Sequence, residues 1–226
     1  MEINNGTLLA LLQIVWINIL LSGDNAIAIG LACRNLSPRH RRLGILYGTA
    51  VAVVLRIIFA LAIVWLLKVS FLKAVGGVAL LWIAVSLARG GDQDHDVAAS
   101  ELLWRAVLTI VVADATMSLD NVLGIAAVAR DNIVLFIAGL LISMPLVMIG
   151  ATAFARVLDR FPVIVWAGAA LLGWVAGNLI IEDQSAMRAL GLRPTGAQQF
   201  AVAATCAVLV VALAWWLNRR RDDSVR

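Results

Sequence analysis

The stretch Asn18-Ile19-Leu20-Leu21-Ser22-Gly23-Asp24-Asn25 decides the fold, because a near copy, Asp114-Ala115-Thr116-Met117-Ser118-Leu119-Asp120-Asn121, follows ninety-six positions later. Both copies lie inside long apolar segments. A carboxylate at the centre of a membrane helix costs about 2.5–3.5 kcal/mol on insertion scales. The same cost, met twice in the same local sequence, indicates a functional site.

The whole chain has the composition of a multi-pass membrane protein. Its 226 residues are 62% hydrophobic and only 14% charged, whereas an ordinary soluble domain is about 45–50% apolar. Each membrane span needs about 20 mostly apolar residues and must be helical, because an open strand leaves backbone groups unsatisfied in lipid. The net charge of +4 comes from loop arginines. No basic soluble face is expected, so nucleic-acid binding is not expected either.

We therefore predict an all-α polytopic membrane protein with about seven transmembrane helices in a single transmembrane domain, residues 1–226. The predicted spans are Leu8–Ala32, Leu43–Leu67, Val69–Ala88, Leu103–Ala129, Ile133–Ala155, Val163–Ile181 and Phe200–Leu217. The segments between them range from one residue, Lys68, to about eighteen residues.

The spans group into two copies of one three-helix unit. Repeat 1 covers about 8–88 and repeat 2 about 103–181, and an extra helix at about 200–217 has no partner. Gly48 and Gly139 match at an offset of 91, which extends the resemblance beyond the motif. Because each unit has three spans, the two copies must have opposite orientations. Such 3+3 inverted repeats are typical of transporters, with the site near the membrane midplane.

The positive charges predict the orientation. With the N-terminus outside, twelve of the eighteen Lys and Arg residues fall in cytoplasmic segments and five in external ones. This bias favours a plasma (inner) membrane protein with its N-terminus outside and its C-terminus in the cytoplasm.

The repeated motif supplies hard oxygen donors. The candidate metal ligands are Asp24, Asn25, Asp114, Asp120, Asn121 and Asn18, with Ser22, Ser118, Arg56 and Met117 in supporting roles. Carboxylate and amide oxygens suit Mn²⁺, Mg²⁺ or Ca²⁺ better than Zn²⁺ or Cu⁺. Met117 is either a soft contact, which would favour a transition metal, or ordinary packing. The set as a whole could also be an interhelical hydrogen-bond cluster, although that accounts poorly for three carboxylates.

Helix geometry adds two expectations. On an ideal helix Asp24 and Asp120 lie off the face of the other motif residues, so they reach a common site only if the helix bends or unwinds. Gly23 favours a break in the first copy, while Leu119 replaces it in the second, so the break is expected to be asymmetric. Arg56, in the middle of its span, is expected to pair with an aspartate, either as a gate displaced by metal or as a fixed structural pair.

These residues resemble a known family. The paired motifs, Asn18 to Asn25 and Asp114 to Asn121, together with the intramembrane Arg56, closely resemble the TerC family of integral membrane proteins. With only about seven predicted spans, the chain resembles the metal-transport branch of the TerC family, which includes the YjbE-type proteins. The resemblance also implies membership of the LysE-like transporter group. The resemblance implies export of divalent metal, chiefly Mn²⁺, and carries the acidic and amide motif residues over as metal-binding candidates.

The leading functional hypothesis is a secondary transporter that exports Mn²⁺ or a similar cation as its substrate. The partners are then the lipid bilayer, the metal ion and protons as a counter-ion, with no permanently bound cofactor. Two other hypotheses are an exporter of a small organic cation and a membrane protein of tellurite resistance or metal homeostasis that does not itself transport. No nucleophile–base set, nucleotide motif or catalytic histidine is visible in the sequence, so no enzyme activity is expected.

Overall fold

The fold is described from a computed structural model. It describes the backbone of residues 11–16, 22–66, 69–89, 99–129, 133–161 and 163–224. Within these ranges, the side chains of residues 63–64, 119–129, 133, 135–136 and 221–224 are not described.

The described residues form helices and turns, and no strand occurs among them. Residues 11–16 are the described part of the first helix, α1. The others are α2 (Gly23–Cys33), α3 (Pro38–Leu66), α4 (Leu72–Arg89), α5 (Ala99–Ala129), α6 (Ile133–Arg160), α7 (Ile164–Glu182), α8 (Gln184–Ala189) and α9 (Gly196–Ser224). The all-helical prediction is therefore confirmed for this part of the chain.

Five helices in the described ranges are long and apolar enough to cross a membrane. They are Pro38–Ala62, Leu72–Arg89, Ile137–Arg160, Ile164–Glu182 and Gly196–Arg220. They correspond to the predicted second, third, fifth, sixth and seventh spans. The predicted first span reaches outside the described residues, and α5 contains the predicted fourth, so the count of seven stays a prediction.

The contacts between helices fix their relative directions, and α3 and α5 run the same way. Early in both helices, a β-carbon placed on Gly48 would lie 2.6 Å from the Ile110 side chain. Two turns further along α3, Arg56 reaches Asp114 and Ser118 of α5. Close approach at Gly48 requires the absence of a side chain there, which explains the glycine.

A matching pair of contacts aligns α1 and α2 with α6. A β-carbon on Gly139 would collide with the Ile14 side chain, and one on Gly30 would lie 2.9 Å from Phe154. The order of these contacts shows that α1 and α2 run in the same direction as α6.

Other helix pairs run in opposite directions. Arg41 at the start of α3 pairs with Asp159 at the end of α6 at 2.5 Å. Lys73 at the start of α4 pairs with Glu182 at the end of α7 at 3.4 Å. Because α2 is parallel to α6 while α3 is antiparallel to it and parallel to α5, α2 and α5 are also antiparallel.

A buried carboxylate joins α4, α7 and α8 at one end of the bundle. Asp183 is 4% exposed. It caps α8 by accepting a hydrogen bond from the Ala186 N–H at 2.9 Å, and it accepts another from the Ala74 N–H at 3.0 Å. Burial opposes its charge, but these backbone N–H groups outweigh burial and lower the pKa of Asp183 below its ordinary value. Asp183 is therefore a structural cap, not the solvated loop residue that its position after a span suggests.

Candidate functional site

A buried ion pair links the two halves of the chain in the middle of the bundle. The Arg56 guanidinium Nη2 lies 2.5 Å from Asp114 Oδ1. The Arg56 Nε donates to Ser118 Oγ at 3.1 Å, and that hydroxyl donates to Asp114 Oδ2 at 2.7 Å. Arg56, Asp114 and Ser118 are 5%, 6% and 0% exposed. The expectation that Arg56 pairs with an aspartate is confirmed, and among the described side chains that aspartate is Asp114.

The local sequence of α5 explains the arrangement. Asp114 and Ser118 are four residues apart, so they lie one above the other on the same helix face. The hydroxyl orients the carboxylate, and the guanidinium neutralises it. Breaking a buried pair of this kind by removing one partner commonly costs about 3–5 kcal/mol, because a buried charge is left uncompensated. Something that replaces Arg56 at Asp114 must therefore bring its own positive charge.

A small cavity adjoins the pair. Its volume is about 20 Å³, which is room for about one water-sized species. The residues that line it are Ser22, Asn25, Ile29, Thr49, Ala52, Val53, Arg56, Asp114, Leu140, Ser143, Met144 and Val147. The cavity therefore combines one ion pair with several neutral oxygen donors.

The cavity lies between positions of α3 and α6 that correspond in the predicted repeat register. Four lining residues come from α3: Thr49, Ala52, Val53 and Arg56. Gly48 and Gly139 are related by an offset of 91 positions. The same offset applied to these four α3 residues gives the four residues that line the cavity from α6: Leu140, Ser143, Met144 and Val147. In the predicted repeat register, α3 and α6 thus contribute the same four positions, but only α3 contributes a charge there.

Two buried polar side chains face the cavity without a hydrogen-bond partner. Asn25 is 3% exposed and Thr49 is 4% exposed. Both polar atoms of the Asn25 amide and the Thr49 hydroxyl are unpaired among the described residues. An unsatisfied buried polar group costs about 1–3 kcal/mol, so these atoms indicate a site that accepts a small polar or charged ligand.

The first motif is broken and the second is continuous, as the asymmetry at Gly23 predicts. Ser22 has φ −105° and ψ 7° and is the N-cap of α2, which begins at Gly23. In contrast, α5 runs without interruption from Ala99 to Ala129 through the whole second motif. The turn at Ser22 lets Ser22 and Asn25 both line the cavity at the start of α2.

The other predicted site residues fall into three groups. Asp24 is only partly buried; it does not line the cavity, and its Oδ1 accepts from the Asn25 backbone N–H at 2.8 Å. Met117 is 5% exposed and packs in the apolar core, which favours packing over a ligand role. Asn18 and the side chains of Asp120 and Asn121 lie outside the described residues.

Sequence reasoning missed Thr49 and Ser143. Each is an uncharged hydroxyl in a long, mostly apolar helix, so it carries no charge signal. The predicted repeat could have pointed to Ser143 and Met144. Ala52 and Val53 lie one turn before Arg56, and an offset of 91 positions from them gives Ser143 and Met144. Among the described residues, no three His, Cys, Asp or Glu side chains come together as a ready metal cluster.

Comparison with known proteins gives one family. The family model described as the integral membrane protein TerC family matches residues 3–223. The uncharacterized membrane protein YjbE of Bacillus subtilis is 37% identical over 177 residues, which is 78% of this chain and 81% of that protein. No solved structure matches the chain.

Two further relatives from Bacillus subtilis are more distant. The uncharacterized membrane protein YkoY is 26% identical over 191 residues, and YceF is 25% identical over 167 residues. The matches cover 76% and 70% of this chain, but only 59% of YkoY and 65% of YceF. This chain therefore spans somewhat less than two thirds of the length of these two relatives.

Proposed function

Because the chain belongs to the TerC family of integral membrane proteins, we propose that it is a secondary transporter that exports a divalent metal cation, with Mn²⁺ as the favoured substrate. One observation carries the proposal: a buried Arg56–Asp114 pair adjoins a water-sized cavity with unsatisfied polar side chains. An intramembrane charge of this kind is a functional-site hypothesis by default. The export direction and the preference for Mn²⁺ rest on the resemblance of the motifs.

We further infer that the two repeats are inverted. Support comes from the three corresponding helix pairs, α2 with α5, α3 with α6, and α4 with α7, each of which is antiparallel. The contacts of Gly48 with Ile110 and of Gly139 with Ile14 also correspond to one another under the repeat. The cavity lies at the junction of the repeats, where inverted-repeat transporters bind their substrates.

The mechanism follows from competition for one carboxylate. In the described conformation Arg56 neutralises Asp114, so the empty site carries no uncompensated charge on this pair. A divalent cation that enters must displace the guanidinium to reach the carboxylate. Cation and arginine then favour different helix arrangements, which gives the two states that alternating access requires. A proton on an aspartate is a second way to neutralise the site on the return step.

The size of the cavity favours a metal ion over an organic cation. About 20 Å³ accommodates a single small species but not the side chain of an amino acid. The oxygen donors around it are those that hard divalent cations prefer. The proposal includes no permanently bound cofactor.

Orientation in the membrane is part of the proposal. Arginines cluster at one end of the bundle: at the starts of α3 and α5 and at the ends of α4, α6 and α9. These are the segments that the distribution of Lys and Arg predicts to be cytoplasmic. At the opposite end of the bundle lie Lys73, Arg188 and Arg193. This supports a plasma membrane protein with its N-terminus outside and its C-terminus in the cytoplasm.

The test is transport by purified protein in proteoliposomes that contain a metal-sensitive dye. We expect Mn²⁺ flux from the wild type, and loss of that flux in Asp114→Asn. Asp159→Asn, which removes a half-exposed carboxylate far from the cavity, is the matched control and is expected to transport normally. Flux of lysine without Mn²⁺ flux would favour the organic-cation hypothesis. The absence of flux of either substrate in well-folded protein would favour a non-transporting role.

A further inference from the structure

Thr49 is a buried hydroxyl with an unusual lack of partners. Threonines in helices usually donate to a carbonyl one turn back. Thr116 and Thr152 do so, to Ala113 and Met148 at 2.8 Å and 2.7 Å. The Thr49 hydroxyl has no hydrogen-bond partner among the described residues, and Thr49 lines the cavity two turns before Arg56. Its hydroxyl is therefore available to a ligand in the cavity.

The Asn25 side chain meets the same cavity from α2. The amide carries a donor and an acceptor, and both are buried without a partner. Asn25 stands in the first turn of α2, which begins at Gly23 after the N-cap Ser22. Two neutral oxygen donors from two helices thus line the cavity that Asp114 also lines.

We propose that Asn25 and Thr49 are the neutral ligands that complete a cation site around Asp114, and that the Thr49 hydroxyl sets its preference for hard cations such as Mn²⁺ over soft cations such as Cd²⁺. This rests on the proposed function. While Arg56 pairs with Asp114, the neutral donors are present but the carboxylate is occupied. When Arg56 withdraws, one charged and two neutral oxygen groups face the same small space, which is a donor set for a hard divalent cation.

The first experiment removes the hydroxyl while keeping the shape of the side chain. Thr49→Val is expected to weaken Mn²⁺ binding to the purified protein about tenfold, which corresponds to about 1.4 kcal/mol. Thr49→Ser keeps the hydroxyl and is expected to bind as the wild type does. Thr152→Val makes the same substitution at a threonine outside the cavity lining, and it is expected to leave Mn²⁺ affinity unchanged.

The second experiment changes the chemistry of the ligand. Thr49→Cys replaces a hard hydroxyl oxygen with a larger, soft sulfur and removes the methyl group. The ratio of Cd²⁺ affinity to Mn²⁺ affinity is expected to rise about tenfold or more relative to the wild type, since thiolates select softer metals. Thermal stability of each variant without metal separates a lost ligand from a misfolded protein.

The outcomes distinguish this inference from the proposed function. If Asp114→Asn loses Mn²⁺ binding while a well-folded Thr49→Val binds as the wild type does, the role of Thr49 is overturned and the proposed function stands. An unchanged metal preference in Thr49→Cys overturns the selectivity role. If the wild type and Asp114→Asn bind Mn²⁺ equally, the proposed function fails and this inference fails with it.

Discussion

At the scale of single residues, the two aspartates of the described site differ in surroundings. Asp114 is 6% exposed, bonded to Arg56 and Ser118, and lines the cavity. Asp24 stands outside the lining, and its Oδ1 accepts a local hydrogen bond from the Asn25 backbone N–H. The sequence makes both of them candidate ligands, because both lie in matching apolar motifs, but helix geometry already sets Asp24 off the face of the other motif residues. The difference follows from the helix face: Asn25 stands three residues after Ser22 and shares its face, whereas Asp24 lies off that face.

This difference predicts unequal mutants. Asp114→Asn removes the only carboxylate that lines the cavity in the described part of the chain, so we expect loss of Mn²⁺ binding by about a hundredfold or more, or about 2.8 kcal/mol. Asp24→Asn is expected to weaken binding less than tenfold and to act mainly on transport rate. Titration of both purified variants by isothermal calorimetry checks this. Equal losses of affinity would show that Asp24 is a ligand of the same rank.

At the scale of helices, the sequence predicted where a helix breaks and which residue needs an acidic partner. It did not predict which side chains of different helices meet. The break at Gly23, the continuity of the second motif and the need of Arg56 for an acidic partner all followed from local chemistry. Which aspartate it pairs with depended on how α3 lies along α5. That packing is set by close contacts such as Gly48 against Ile110, which a single sequence does not reveal. Asp183 was missed for the same reason, since its donor Ala74 lies 109 positions away.

Asp183 also gives a prediction about pH. Its lowered pKa means that its stabilising contribution is fully present above the ordinary Asp pKa, about 3.9, and is lost as the pH falls through its lower pKa in the folded protein. Asp183→Asn is expected to unfold more easily at neutral pH by about 1 kcal/mol. The difference in unfolding free energy between the wild type and Asp183→Asn should shrink as the pH is lowered below about 4.

Thermal unfolding in detergent across this pH range measures both effects. Glu182→Gln is the neighbouring control, because Glu182 is half-exposed and pairs with Lys73 only at 3.4 Å. We expect this control to change stability little at any pH. A stability gap for Asp183→Asn that persists unchanged into acid would contradict the charged-cap account.

At the scale of the whole molecule, the account requires a protein whose two ends face opposite sides of a membrane. Cysteines introduced by Ser37→Cys and Gln184→Cys test this in a chain that also carries Cys33→Ala and Cys206→Ala. Ser37 precedes α3 at the arginine-rich end, and Gln184 begins α8 at the other end. An impermeant maleimide should label residue 184 from outside the cell and residue 37 only after permeabilisation. Labelling of both positions from one side would rule out the proposed topology.

The central claim is that a metal ion and Arg56 compete for Asp114, and the Mn²⁺ affinity of purified Arg56→Gln tests it most directly. Removing the competitor should leave equilibrium affinity equal to that of the wild type or higher, while transport in proteoliposomes slows, since the empty carboxylate is no longer neutralised on the return step. Added Mn²⁺ should also raise the thermal stability of Arg56→Gln more than that of the wild type, because the ion replaces the lost charge. A folded Arg56→Gln protein that binds Mn²⁺ more weakly than the wild type, or that transports it equally fast, would contradict the account.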